Sequence, residues 1–149
     1  MIIEQRGWQS MNVLIDTNVV LDQLVKREPF YENAERIRLL SEKGYINSYI
    51  SASAITDIYY IANKEIRNKN AVVELLESLL KTTNVASVTE SGINEALALR
   101  WDDFEDAVQY VAGKDISADY IVTRNIEDYA NSQIEVLSPS EFLKKITAA

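Results

Sequence analysis

Two kinds of hydrophobic pattern alternate along this chain of 149 residues. Short and nearly continuous apolar runs are typical of strands that are buried on both faces of a sheet. Such runs occur at 11–16 (MNVLID), 46–51 (INSYIS) and 119–125 (DYIVTRN), with a weaker run at 84–89 (NVASVT) and a short one at the start of 134–146 (IEVLSPSEFLKKI). The pattern predicts a strand at each of these positions.

Between the strands, apolar residues recur at intervals of three and four, which predicts amphipathic helices. We expect Gly44 to end the first helix, Ser53 to cap the second and Asn70 to lead the third. A last helix begins near Ser140, with Glu141 in its first turn. The predicted helices that precede it lie at 31–45, 54–67, 70–83, 91–101 and 102–114.

Strands that alternate with helices predict an α/β fold, in which helices cover both faces of a parallel sheet. The length is that of one ordinary domain. Residues 1–10 lack a pattern and Met11 stands just before the first strand, so we expect a domain at 11–149 preceded by an appendage. No apolar stretch reaches about 18 residues and the first segment is unlike a signal peptide, so the cytoplasm is the default expectation.

The composition limits the chemistry that this domain performs. The chain has no cysteine and no histidine, which excludes disulfides, thiol chemistry, zinc sites built on these residues and histidine-dependent triads. Carboxylates, lysines and hydroxyls remain, as does a hard cation held by oxygen ligands, such as Mg²⁺, Mn²⁺ or Ca²⁺. The formal net charge of −8 counts against non-specific binding of nucleic acid, unless bound cations reverse the local sign.

Acidic residues follow the points where strands end. Asp16 stops the first apolar run, and Asp57 lies near the start of the helix after the second strand. Asp103 and Asp106 are three residues apart near a helix start, so both can project to one side. Because the carboxyl ends of parallel strands share one edge of a sheet, we expect these acids to meet there.

The strand DYIVT adds further polar groups at its two ends. Asn125 and Asp128 follow its carboxyl end and belong to the same edge. Asp119 stands at its amino end and Thr123 at its carboxyl end, about 13 Å apart at about 3.3 Å per residue. We therefore place Asp119 at the opposite edge and exclude it from the site.

The same residues also have structural explanations. The helix acids would serve as N-caps or as favourable charges in first turns, each worth less than about 1 kcal/mol. Asp16 is harder to explain, because burying an unpaired carboxylate after an apolar run is costly. Thr17 and Asn18 are turn formers or groups that orient Asp16, and Thr123 is an ordinary strand residue or a supporting hydroxyl. Carboxylates gathered at one edge keep protons or hold divalent cations, and Mg²⁺ or Mn²⁺ is the natural occupant here.

The segments VLIDTNVVLD, SASAITDIYY, DFEDAVQYVAG and ADYIVTRNIEDY, in this order, resemble the signatures of the PIN-domain family. The resemblance extends from about Met11 to the C-terminal helix. It implies a three-layer α/β/α sandwich with a central, mostly parallel sheet, and a ribonuclease that depends on Mg²⁺ or Mn²⁺. Many small members are VapC-type toxins of toxin–antitoxin pairs, so the resemblance also implies an antitoxin partner. It implies a homodimer as well, because PIN domains commonly dimerise.

Carried over by position, the resemblance gives roles to individual residues. Asp16 matches the acid of the first strand and Asp106 the helix acid, and both are expected to contact the metal directly. Asp57 stands where the family usually has Glu, so its shorter side chain would bind metal through water. These residues and Asp103 are the predicted catalytic and metal-binding set.

Asn125 stands where many family members have Asp. The charge is therefore missing, or it is supplied by Asp103 or Asp128. Arg124 directly follows the strand end and is the strongest candidate for steering an RNA backbone, ahead of Lys114 and Arg100. The residues expected to orient ligands or the scissile phosphate are Thr17, Asn18, Thr123, Arg124 and Asn125.

The leading hypothesis is a metal-dependent endoribonuclease, with RNA as substrate. The alternative is a catalytically weak PIN fold that acts by binding an antitoxin or a partner in an RNA-associated complex. An aspartyl-phosphate phosphatase or a phospho-accepting receiver is a third reading. It fits poorly, because Asn18 stands where a phosphatase needs a second acid and no suitable late-strand lysine is evident.

Overall fold

The computed structural model describes residues 11–147. The appendage expected at 1–10 lies outside the described residues. In the described part of the chain, a parallel five-stranded sheet has the order β3–β2–β1–β4–β5. The strands are β1 (Met11–Ile15), β2 (Ile46–Ser51), β3 (Asn84–Ala86), β4 (Tyr120–Val122) and β5 (Glu135–Leu137).

Helices cover both faces of this sheet, so the three-layer α/β/α architecture is confirmed. Val13 and Ile15 of β1 face a core shared with α1 to α4 and α7, and Leu14 faces a second core shared with α5 and α6. The helices are α1 (Thr17–Leu24), α2 (Tyr31–Glu42), α3 (Ala52–Ile66), α4 (Lys69–Leu79), α5 (Glu90–Leu99), α6 (Phe104–Asp115) and α7 (Pro139–Ile146), with a short 3-10 helix at Ile126–Tyr129. No helix within 11–147 combines the length and hydrophobicity needed to cross a membrane.

Helix α1 is absent from the sequence prediction. It has eight residues, and five of them are buried, including Asp22. Eight residues make only about two turns, and the buried Asp22 interrupts the apolar positions, so the sequence shows no regular helical stripe here. The helix begins immediately after Asp16, which places its first turn at the carboxyl edge of the sheet.

Two helix caps lie two residues earlier than the sequence pattern indicates. Ser51 caps α3 in place of Ser53, by accepting a hydrogen bond from the backbone of Ala54. Asn68 caps α4, so Asn70 lies inside that helix. The last helix, α7, begins at Pro139, next to Ser140 as predicted, and its cap is Ser138. In each case the first helical turn carries no regular apolar stripe. The cap is the residue with an extended backbone whose side chain accepts a hydrogen bond from the backbone N–H three residues later.

Other local predictions are confirmed. Gly44, at a φ of 80°, follows the end of α2, and Glu141 lies in the first turn of α7. Asp119 lies at the amino edge of the sheet, where its carboxylate accepts a hydrogen bond of 2.9 Å from the backbone of Asn12. At the opposite edge, the amide of Asp16 bonds to Val122, and this continues the pairing of β1 with β4.

Candidate functional site

Asp16 lies at the carboxyl end of the central strand and has only 5% of its surface exposed. Its Oδ1 accepts hydrogen bonds from the backbone of Thr17 at 2.7 Å and from Nε2 of Gln109 at 2.9 Å. Its Oδ2 accepts from Oγ1 of Thr123 at 2.7 Å and, weakly, from Nδ2 of Asn18 at 3.4 Å. These donors compensate the carboxylate for lost water and hold it in one orientation.

Thr123 and Asn18 also join the loop after β4 to the start of α1. Oγ1 of Thr123 accepts from the backbone of Asn125 at 3.0 Å and from Nδ2 of Asn18 at 3.3 Å. Oδ1 of Asn18 accepts from the backbone of Arg124 at 3.2 Å. Apart from Thr17, the residues predicted to orient ligands therefore form one hydrogen-bond network around Asp16. They are Asn18, Thr123, Arg124 and Asn125.

Asp103 and Asp106 bring the start of α6 to the same edge. Asp103 is the N-cap of α6 and accepts a hydrogen bond from the backbone of Asp106. Burial raises the pKa of Asp106 to about 7, and the negative charges of Asp16, Asp103 and Asp128 act in the same direction. The charges that act on Asp106 thus come from three separate segments of the chain, as expected for acids that gather at one edge.

Asp57 contacts this cluster by way of Glu105, a residue that was not predicted from the sequence. Partial burial raises the pKa of Glu105 to about 7, with further contributions from a hydrogen bond to Asp57 and from the charges of Asp57, Asp103 and Asp106. A hydrogen bond between two carboxyl groups requires a shared proton. The adjacent residues Glu105 and Asp106, at the start of α6, therefore both have raised pKa values.

Two buried polar atoms on residues of the cleft wall, Oγ1 of Thr17 and Oε1 of Gln109, have no hydrogen-bond partner within 11–147. The phenol of Tyr129, a residue with 2% of its surface exposed, lies close to the carboxylates of Asp16 and Asp106. Burial raises the pKa of Tyr129, and the charges of Asp16 and Asp106 raise it further, so the phenol keeps its proton. Buried polar groups are rarely left unsatisfied, so the unpaired atoms of Thr17 and Gln109 are available to a polar ligand or water.

The acids face an open cleft of about 280 Å³. Its described wall includes one basic side chain, Arg27, which is ion-paired with Glu65. The acidic residues of the wall are Asp16, Asp103, Glu105, Asp106 and Asp128, and its amide side chains are Asn18, Gln109 and Asn125. The cleft therefore carries a surplus of negative charge.

The wall residues fit a hard divalent cation in donor type and in charge. Oxygen ligands are those that Mg²⁺ and Mn²⁺ prefer, and a bound cation would relieve the repulsion that raises the pKa values of Asp106 and Glu105. Among residues 11–147, no three acidic side chains are already arranged closely enough to hold an ion. Mg²⁺ is usually held by one or two carboxylates and several waters, so a pair such as Asp16 and Asp106 suffices in number of protein ligands.

Comparison with known families decides the classification. The sequence profile of the PIN domain matches residues 12–127, which is most of the chain.

The chain belongs to the PIN-domain family.

Solved structures share the fold of this PIN domain at low sequence identity. A toxin–antitoxin complex from Klebsiella pneumoniae has a TM-score of 0.64 and 20% identity, and the match covers 85% of this chain and 97% of that chain. FitAcB from Neisseria gonorrhoeae has a TM-score of 0.64 and 18% identity, with 86% and 98% covered. VapC20 from Mycobacterium tuberculosis, a toxin that cleaves the sarcin-ricin loop, has a TM-score of 0.59 and 16% identity, with 73% and 86% covered. Comparison with curated proteins finds no significant match.

The basic residues of this PIN domain lie elsewhere than the sequence reasoning proposed. Arg124 does not line the acidic cleft, because its guanidinium group turns away to pair with Asp22. Lys114 pairs with Glu95 at 2.9 Å, and its Cα lies about 12 Å along α6 from that of Asp106, at about 1.5 Å per residue. Arg100 is the exposed C-cap residue of α5 and is also absent from the cleft wall.

Gln109, Tyr129 and Glu105 are the site residues that the sequence reasoning missed. Gln109 follows Asp106 by three positions, so the two share one face of α6, and a polar residue in an otherwise buried stretch was an available signal. Glu105 directly precedes Asp106, but its neighbour on α3 is not evident from sequence. Tyr129 lies in a 3-10 helix that no periodic pattern marks.

Proposed function

We propose that this PIN domain is a metal-dependent endoribonuclease that hydrolyses RNA phosphodiesters. The observation that carries the proposal is the cleft at the carboxyl edge, where Asp16 of the β1 end and Asp106 of α6 lie among further acids. The basic side chain of the described wall, Arg27, is already paired with Glu65. Membership of the PIN-domain family supports the same function.

Asp16 and Asp106 would hold Mg²⁺ or Mn²⁺, with Asp103 on the cleft wall and Asp57 acting through water or through Glu105. The ion would supply a bound water of lowered pKa and would neutralise charge on the phosphate. The chain's own contribution is to fix Asp16 by its bonds to Gln109 and to the neighbouring hydroxyl and amide groups. A carboxylate held in one orientation loses little freedom when it binds a ligand.

The phenol of Tyr129 lies buried beside the acids, and the amide of Asn125 belongs to the cleft wall. Tyr129 is buried beside two acids and keeps its proton, so it acts only as a hydrogen-bond donor or neutral acceptor. Asn125 is exposed and lines the cleft, where its amide can donate to a phosphate oxygen. An Asp at this position would have repelled the phosphate more strongly and held the cation more tightly.

An antitoxin is the proposed protein partner. Several solved structures that share the fold are toxin–antitoxin complexes. An acidic cleft of this kind accommodates a basic side chain of a partner, which would neutralise the acids and block access to them. Homodimer formation and a cytoplasmic location stay predictions.

A second candidate function is a binding module with weak catalytic activity. It is favoured by Asp57, which contacts Glu105 instead of lining the cleft, and by the absence among residues 11–147 of a ready-made ion site. The two functions differ in a direct way, since the binding module leaves RNA intact under conditions in which the nuclease cleaves it.

The decisive experiment incubates purified protein with single-stranded RNA, with Mn²⁺ or with a chelator. We expect cleavage by the wild type in Mn²⁺ and none in chelator, and loss of cleavage by Asp16→Asn and Asp106→Asn. Asp115→Asn, which removes one charge from the exposed far end of α6, is the matched control and should cleave normally. Retained cleavage by Asp16→Asn would exclude the mechanism.

A further inference from the structure

A second cleft, of about 410 Å³, lies beside the acidic one at the carboxyl edge of the sheet. Its wall is formed by the loop before α2, the first turn of α2, the residue after Thr123 and the start of α7. The polar and aromatic side chains of this wall are Phe30, Asn33, Arg124, Ser138 and Ser140. Its volume exceeds that of the acidic cleft, and none of the proposed catalytic acids lines it.

The floor of this second cleft is a stacked pair of side chains. The guanidinium carbon of Arg124 lies 4.0 Å from the centre of the Phe30 ring. Nε and Nη2 of Arg124 donate to the two carboxylate oxygens of Asp22, at 2.7 and 3.2 Å. Asp22 is fully buried, so this ion pair holds the guanidinium in one plane against the ring.

Two features of this pair remain available to a ligand. Phe30 has 40% of its surface exposed although it is a large apolar side chain. Nη1 of Arg124 makes no hydrogen bond to another residue within 11–147. Unpaired bases stack on aromatic rings and on guanidinium planes, and this pair offers both beside the cleft.

Residues that are close together in the chain line the two clefts at two places. Arg124 lines the second cleft and Asn125 lines the acidic one, so adjacent residues carry the wall from one to the other. On the other side, Arg27 lines the acidic cleft and Pro29 and Phe30 line the second, linked by a hydrogen bond of 3.0 Å from the Phe30 amide to the Arg27 carbonyl. One continuous strand could therefore occupy both clefts.

We propose that the second cleft binds one unpaired nucleotide of the RNA strand next to the scissile bond, with its base stacked on Phe30 and Arg124. Asn33 and the hydroxyl groups of Ser138 and Ser140 are placed to bond to the ribose or the phosphate. The proposal rests on the proposed function and deepens it. It requires the nucleotide at this position to be unpaired, because bases of a duplex are not free to enter such a cleft.

The charges of the second cleft favour a base over an isolated phosphate. Asp22 neutralises Arg124, so the cleft offers no strong positive field, and the chain as a whole carries a net charge of −8. Attraction then comes from stacking and from hydrogen bonds. Binding of this kind depends on salt less steeply than binding by unpaired lysines and arginines.

The test measures the binding of a 5′-fluorescein-labelled, eight-nucleotide single-stranded RNA by fluorescence anisotropy. All proteins carry Asp106→Asn, so that the RNA stays intact. We expect Phe30→Leu to weaken binding about tenfold, as loss of one stacked base does, and Phe30→Trp to retain it. The control is Tyr45→Leu, which removes an aromatic ring with the same 40% exposure from the opposite edge of the sheet.

A further variant keeps the test independent of any effect of Phe30 on folding. Ser140→Glu places a negative charge on the cleft wall, in the first turn of α7, where an acid favours the helix. We expect it to weaken RNA binding without lowering the unfolding temperature. Equal binding by Phe30→Leu and by the parent protein, or equal binding of single-stranded and duplex RNA, would overturn the proposal, as would absence of binding by the parent protein.

Failure of the subsite and failure of the nuclease give different results. If the protein is not a nuclease, the wild type leaves RNA intact in Mn²⁺, whereas the comparison of Phe30→Leu with Tyr45→Leu still reports on the second cleft. If the subsite is wrong, the wild type cleaves RNA and these two variants bind RNA equally well.

Discussion

Nε2 of Gln109 on α6 donates a hydrogen bond of 2.9 Å to Oδ1 of Asp16 at the end of β1. Both side chains are buried, so this bond ties the central strand to the helix that carries Asp106. The position of Asp106 relative to Asp16 therefore depends on Gln109, and the geometry of the acidic cleft depends on it as well.

Gln109→Met removes this bond at nearly constant volume. We expect the free energy of unfolding to fall by about 1–3 kcal/mol, because the Asp16 carboxylate loses a buried donor. Urea denaturation in chelator measures the change. Gln133→Met is the control, because the exposed Gln133 side chain should tolerate the change to within about 0.5 kcal/mol. Equal unfolding midpoints for the two variants would contradict a structural role for Gln109.

The ion pair of Arg124 with Asp22 is asymmetric, because Asp22 is fully buried and Arg124 is partly exposed. Arg124→Met leaves a buried, unpaired carboxylate and should lower the free energy of unfolding by about 3–5 kcal/mol. Asp22→Asn should cost less, since the arginine can turn to water. For comparison, Arg36→Met removes a surface pair with Glu32, which is worth less than about 1 kcal/mol. Similar losses for Arg124→Met and Arg36→Met in thermal or urea unfolding would contradict this assignment.

The raised pKa of Asp106 predicts how stability changes with pH when no metal is present. The folded protein holds this proton up to a pH of about 7, whereas the unfolded chain releases it near the ordinary value of 3.8. Between these values the folded state binds more protons, so its stability falls as the pH rises from about 4 to about 7. Unfolding temperatures in chelator should therefore decrease over this range.

Asp106→Asn is the matched variant for this pH dependence. It removes the titrating group at constant size, so its unfolding temperature should decrease less with pH than that of the wild type. Glu105 still titrates in the variant and contributes a remaining slope of the same sign. Identical slopes for the two proteins would contradict a raised pKa at Asp106.

Glu105 should oppose stability and favour cation binding. Glu105→Gln removes the repulsion with Asp57, so the metal-free variant should unfold at a higher temperature than the wild type at pH 8. The same variant should bind Mn²⁺ more weakly. Glu77→Gln, an exposed change on α4, should alter neither quantity. A Glu105→Gln protein that is less stable than the wild type at pH 8 would contradict the repulsion.

Much of the fold was predictable because strand burial and helix periodicity are local signals. The rule that parallel strands end at one edge also placed Asp16 correctly beside Asp106, and it placed Asp119 on the opposite edge. The short helix α1 was not predicted, because about two turns interrupted by the buried Asp22 give no regular apolar stripe. The caps of α3 and α4 lie earlier than predicted because the apolar stripes start after the first turn.

The details of the site depend on tertiary contacts that a single sequence does not reveal. Asp57 and Glu105 meet because α3 packs near α6, and no spacing in the sequence encodes this contact. Arg124 was expected to face the acids, but the buried Asp22 directs its guanidinium group into the second cleft. An isolated basic residue next to a strand end does not indicate the direction in which its side chain points.

Calorimetric titration with Mn²⁺ tests most directly whether Asp16 and Asp106 jointly hold a divalent ion. We predict that the wild-type protein binds Mn²⁺ and that Asp16→Asn and Asp106→Asn each abolish or greatly weaken the binding, while Asp115→Asn leaves it unchanged. Absence of binding by the wild type at millimolar Mn²⁺, or unchanged affinity in Asp106→Asn, would contradict the account.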